Sequence, residues 1–123
     1  MLTTTLCFDF GNTRKKAAVF RDDELDKVFV LKDDTADSIR ELINTYAPRK
    51  SILSSVVDHN PEMETLLAAH TKFHKLSHLT RLPFTTPVGK PETIGADRLA
   101  LAAGAVHFDP GKNNLVIATG SCI

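Results

Sequence analysis

An α/β fold built on a mixed sheet is what this sequence predicts, on three observations. The chain opens with three strand-like segments separated by short turns. Apolar residues then recur at helical spacing in three later segments, and short apolar runs alternate with those helices. No stretch of the 123 residues reads as a linker or as low-complexity sequence. A chain of this length buries roughly two-thirds of the surface that it exposes when unfolded.

LCFDF (residues 6–10) predicts the first strand and ends at Gly11-Asn12, a strong turn signal. KKAAVF (15–20), the polar turn 21–24 and LDKVFVL (25–31) complete an antiparallel meander. The paired Lys15 and Lys16 suit an exposed strand edge. After Asp34-Thr35, the residues Ala36, Ile39, Leu42, Ile43 and Tyr46 follow a helical period, which Pro48 ends. SILSSVV (51–57) predicts a strand. Asn60-Pro61 supplies an N-cap and a first-turn proline for a helix through Met63, Leu66 and Leu67, with Glu62 and Glu64 at its positive end. KFHKL (72–76) reads as another strand and residues 81–92 as a loop. A third helix starts near Gly95-Ala96-Asp97 and runs through Val106, and NNLVIATGSCI (113–123) reads as a final strand.

Fifteen basic and fifteen acidic residues cancel, so no long-range field favours nucleic acid or an anionic membrane. Cys7 and Cys122 lie in apolar runs and read as buried thiols of a reducing compartment, not as a disulfide framework. No apolar stretch reaches the roughly 20 residues that span a bilayer, and MLTTTL lacks the charge pattern of a signal peptide, so a cytoplasmic location is expected. His70, His74 and His78 are spaced by four, which suits a metal only if they share one helix face. With KFHKL read as strand, and no cysteine or carboxylate to complete the set, three solvated histidines is the better reading.

Two octapeptides share a pattern. LCFDFGNT (6–13) and LVIATGSC (115–122) each begin with leucine, place glycine sixth and follow it with a small polar residue, Asn12 or Ser121. A strand feeding a Gly-polar turn aims backbone N–H groups at an anion, because glycine permits close approach. Two such turns facing each other clasp a polyphosphate; two unrelated strand ends are the plain alternative. On the repeat reading, residues 1–112 form a first domain, and 113–123 supply the first strand and phosphate turn of a second whose remainder is absent.

Asp9 ends an apolar strand, where an unpaired carboxylate is costly to bury. It suits either a contact to a magnesium ion that keeps several waters beside phosphate oxygens, or an Asx-type cap on Gly11 and Asn12. Asp97 at a helix start complements the dipole. With Arg98 beside it, a fork of donors suited to a carboxylate, it also suits a substrate site. Ala100, Ala102, Ala103, Gly104 and Ala105 make the helix small-faced, which fits close approach within one subunit or between two.

These residues resemble the signatures of the type III pantothenate kinases, a family with the actin-like, ribonuclease H-like ATPase fold also found in sugar kinases and Hsp70. LCFDFGNTRKKAAVF resembles their nucleotide-phosphate hairpin. PETIGADRLALAAGA resembles the Pro-x-x-hydrophobic-Gly-x-Asp-Arg stretch that opens an alanine-rich helix, and NNLVIATGSCI the third signature. The matches fall in order over almost the whole chain, but cover only about the first half of a typical member. The resemblance implies transfer of the γ-phosphoryl of ATP to pantothenate, the first step toward coenzyme A. It places Asp9 on Mg2+ and the phosphates, together with Gly11, Asn12, Thr13, Arg14, Gly120 and Ser121. It makes Asp97 the general base and has Gly95, Asp97 and Arg98 hold pantothenate. It also implies a homodimer that completes the site, and a potassium ion.

Three positions depart from the pattern. Ala118 stands where the third signature usually has the aspartate associated with the monovalent cation, which puts potassium in question. Ser121 replaces threonine and keeps the hydroxyl. Val88 stands where a tyrosine that contacts pantothenate is common. Ala118 favours the alternative of a degenerate, non-catalytic module that binds a protein partner, some relatives carrying transcriptional-accessory labels; retention of both Asp9 and Asp97 opposes it.

Overall fold

Alternation explains the first strand. In β1 (Thr4–Phe10), Thr4, Leu6, Phe8 and Phe10 are buried on one face, while Thr5, Cys7 and Asp9 stand on the other. The computed structural model describes residues 2–119. β1 pairs antiparallel with β2 (Lys15–Arg21), and β2 with β3 (Glu24–Val30). On its other side β1 pairs parallel with β4 (Lys50–Ser55), which pairs parallel with β5 (Lys72–Lys75). The sheet order is β3-β2-β1-β4-β5, so the predicted meander and mixed sheet are both present.

The parallel pairings need crossovers, and helices supply them. α1 (Ala36–Tyr46) joins β3 to β4, and α2 (Pro61–His70) joins β4 to β5. Thr35 caps α1 by accepting from the Ser38 N–H, and Asn60 caps α2 by accepting from the Glu62 N–H, with Pro61 in the first turn. Both helices cover the face that carries Leu6, Phe8 and Phe10. Ile39, Ile43, Met63 and Leu67 close a core there with Ala17, Val19 and Leu53. α3 (Ala96–Phe108) lies against β4, and Leu99 is its buried residue. A single 3-10 turn, Pro91–Thr93, interrupts the predicted loop.

Two expectations are corrected. Residues 113–119 form no strand: Leu115 and Ile117 are 88% and 65% exposed. A strand needs a ladder partner, and this run lies beside none. It is tied instead to the end of α3, where the Asn114 amide donates to the carbonyls of Asp109 and Lys112. The rest of that predicted strand lies outside the described residues, as do Gly120, Ser121 and Cys122. Lys15 and Lys16 are not at a sheet edge, because β2 is internal. Lys15 is half-buried, paired with Asp34 at 3.1 Å and set over the Phe10 ring. No helix among the described residues is long and apolar enough to cross a membrane.

Candidate active site

The carboxyl ends of parallel strands, where strand order reverses, are where open α/β sheets hold ligands. Here those ends belong to β1 and β4, and the turn after β1 lies beside them. Gly11 begins that turn, its N–H donating to the Arg14 carbonyl at 3.0 Å, which closes a tight loop. Asn12, Thr13 and Arg14 are exposed, free of any described hydrogen bond from their side chains, and open to a ligand. The Asx-cap reading of Asp9 is not what forms: the Gly11 N–H is taken by Arg14, not by Asp9.

Register puts Asp9 in a polar row. Its partner on β2 is Lys16 and its partner on β4 is Ser54, so all three side chains stand on one face, with neighbouring strands roughly 5 Å apart. α3 covers the β4 side of that face. Gly95 is its N-cap residue and brings no side-chain cap. The N–H groups of Arg98 and Leu99 bond the Gly95 carbonyl at 3.0 and 3.3 Å, and the Arg98 N–H also bonds Asp97 Oδ1 at 2.8 Å. A methyl group on Gly95 would lie 2.7 Å from Asp97 Oδ1 and 3.6 Å from the Val56 side chain. The absent Cβ is therefore a matter of space: at φ −62° the backbone is one that any residue adopts. Arg98 itself is exposed.

Asp9 and Asp97, 88 positions apart in sequence, are thus brought near enough for their charges to interact. Although Asp9 is exposed on the sheet face, partial desolvation at the strand end is the main reason that its carboxyl sits above its usual range; Lys16 opposes the rise, and the nearby Asp97 carboxylate adds to it. The Asp9 carboxyl, with a second carboxylate near it and a loop of exposed polar groups beside it, forms a site that a cation would stabilise. Among the described residues no group of three metal-ligating side chains is assembled. That composition fits magnesium, which takes one or two carboxylates and completes its shell with phosphate oxygens and water.

Sequence reasoning missed Ser54, and also a second polar network on the opposite face. Asp34 accepts from Lys15 Nζ at 3.1 Å and from the Asn60 N–H at 2.8 Å. His59 joins Ser55 Oγ at 3.2 Å to Glu64 Oε2 at 2.7 Å, packs edge-on against Phe10, and shares Glu64 with Lys75. No sequence signal marked Ser54: that both faces of β4 are covered depends on α3 packing against it. The three histidines at spacing four do not share a helix, since His70 ends α2 and His74 lies in β5.

Residues 5–123 match the family model described as type III pantothenate kinase. Curated proteins named type III pantothenate kinase match as well. One from Christiangramia forsetii is 42% identical over 120 residues, covering 96% of this chain and 49% of the relative. One from Bacteroides fragilis is 36% identical over 122 residues and one from Flavobacterium johnsoniae 35% over 120, with the same coverage. The chain spans about half the length of these relatives.

Proposed function

Since this chain belongs to the type III pantothenate kinase family, we propose that it carries the phosphate-side and acceptor-side residues of an ATP-dependent pantothenate kinase. The observation that carries this reading is the approach of Asp97 at the start of α3 to Asp9 at the end of β1, near enough for the charge of Asp97 to push the Asp9 carboxyl up. Asp97 is the general base. One of its oxygens is occupied by the Arg98 N–H, which holds the carboxylate at the helix start. The other accepts the proton of the pantothenate hydroxyl as that oxygen bonds the γ-phosphorus and the bond to the β-phosphate oxygen breaks, releasing ADP. Phosphoryl transfer needs positioning and charge stabilisation more than covalent help, so one carboxylate at the acceptor is sufficient.

Asp9 is the residue that would hold Mg2+, which when bound neutralises charge on the phosphates. Gly11, Asn12, Thr13 and Arg14 form the phosphate turn, and Gly120 and Ser121 belong to its counterpart. Gly95 and Arg98 line the pantothenate side with Asp97. Residues 113–123 are read as the opening strand of a second, similar domain, which gains its ladder when a partner strand is present. A homodimer, a cytoplasmic location and dependence on a monovalent cation belong to the same reading, with Ala118 weakening the last.

The test is coupled ATP turnover with pantothenate and Mg2+, in K+ or Na+, beside an Asp97→Asn control. Turnover that requires pantothenate, with a loss of about 10²- to 10⁴-fold in the control, is expected for a general base. Turnover indifferent to pantothenate, or unchanged in Asp97→Asn, would sink the assignment.

A further inference from the structure

Ser54 is out of place by burial alone. It is 7% exposed, and its Oγ is the one buried side-chain polar atom without a hydrogen-bond partner among the described residues. A buried hydroxyl left unpaired costs stability, whereas an apolar side chain of similar size costs nothing there. The other serines of β4 are satisfied. Ser51 Oγ shares a bond with Thr71 Oγ1 at 2.7 Å, and Ser55 Oγ donates to the Val57 carbonyl at 2.8 Å. Those two stand on the α1/α2 face, and Ser54 stands alone on the other. Its neighbours on that face, Ile52 and Val56, are apolar.

Beside this unpaired donor stands an unpaired acceptor. Asp9 is the register partner of Ser54 on the adjacent strand, and no hydrogen bond contributes to the state of its carboxyl. The charged groups facing it are Lys16 from β2 and Asp97 from α3. Both side chains are short and staggered rotamers are their only freedom, so rotation about χ1 brings the hydroxyl and the carboxylate together. We propose that Ser54 is a positioning residue for Asp9: its Oγ–H donates to the Asp9 carboxylate and fixes it toward the phosphate turn when nucleotide binds. The fold carries the orphan hydroxyl in the meantime. This inference rests on the reading of Asp9 as a nucleotide-side residue.

Binding of the magnesium complex of a nonhydrolysable ATP analogue, measured by calorimetry on the chain and on Ser54→Ala and Ser54→Thr, tests it, with melting temperatures taken in parallel. A charge-assisted hydrogen bond lost at the site is expected to weaken binding about tenfold in Ser54→Ala. Ser54→Thr keeps the hydroxyl and is expected to recover most of that loss. The melting temperature of Ser54→Ala without ligand is expected to hold or rise, because an unsatisfied group has been removed; a hydroxyl with only a structural role would lower it and leave binding alone. Binding by Ser54→Ala equal to that of the unaltered chain would overturn this inference while leaving the nucleotide reading intact. No binding by the unaltered chain would overturn both.

Discussion

The two faces of this sheet treat polar groups in opposite ways. On the face under α1 and α2, the part-buried carboxylates Asp34 and Glu64 both have partners. Asp34 resists burial by accepting from Asn60 and Lys15, and Glu64 does so by accepting from His59 and Lys75; both carboxyls end below their usual range. Asp33 falls to about 2 through bonds from the Ser38 and Thr35 hydroxyls and the Thr35 N–H. On the face under α3, Asp9 is raised, Ser54 is unpaired and Gly95 leaves its helix without a side-chain cap. Satisfied groups lock elements together, whereas unsatisfied groups wait for something that is not part of the chain. On the proposed reading, that difference is what separates scaffold from site.

Removing a partner on the paired face should cost the most. Asp34→Ala leaves the Asn60 N–H and Lys15 without their acceptor at the junction of β2, α1 and α2. A loss of about 2 to 3 kcal/mol is expected for a charged hydrogen-bond partner removed at a part-buried site. Ser54→Ala, although more deeply buried, is expected to cost nothing. Urea midpoints at constant slope measure both. Equal losses in the two variants would erase the distinction between the faces.

Most of the scaffold was legible because its signals are local. The Gly11-Asn12 turn, the period of Ile39, Leu42 and Ile43, and the Asn60-Pro61 cap each act within a few residues. What the sequence hid was pairing between distant elements. That β2 is internal, and Lys15 half-buried, depends on β3 lying outside it. The bond from Asn60 to Asp34 spans 26 positions, and neither residue alone announces the other. The Leu115–Ile117 run shows the same limit from the other side. Its composition is that of a strand, but a strand exists only where a ladder is offered. At the proposed site, motif resemblance singled out Asp9 and Asp97, while Ser54 was not legible, because an unpaired hydroxyl is a property of three-dimensional surroundings.

Gly95→Ala probes the unpaired face. A Cβ there meets Asp97 Oδ1 at 2.7 Å, so the carboxylate must swing aside and release the Arg98 N–H. The backbone at Gly95 accepts alanine without strain, so stability should change by no more than about 0.5 kcal/mol. Phosphoryl transfer should fall by tenfold or more, since a small displacement of a reacting group is costly. Steady-state kinetics beside a thermal melt separate the two. A destabilised but fully active variant would mean that Gly95 serves packing alone.

The smallest effect expected is one of sign, read in metal-free buffer. Asp33, Asp34 and Glu64 have folded pKa values below the roughly 4 of free carboxyls, so the stability they contribute is complete above that pH. It is lost as pH falls through each folded value, ending near pH 2 with Asp33. Asp9 runs the other way: with a raised pKa, its contribution is complete while it is protonated and is lost as pH rises through that value. Asp9→Asn removes the cost of ionising a partly desolvated group. Its stability relative to the unaltered chain should therefore climb as pH rises from about 4 toward neutrality. Asp34→Asn should show the mirror image, a deficit at neutral pH that closes on acidification. If both differences move in the same direction with pH, the two faces do not divide into paired and waiting groups, and the orphan state of Ser54 loses its meaning as a mark of the site.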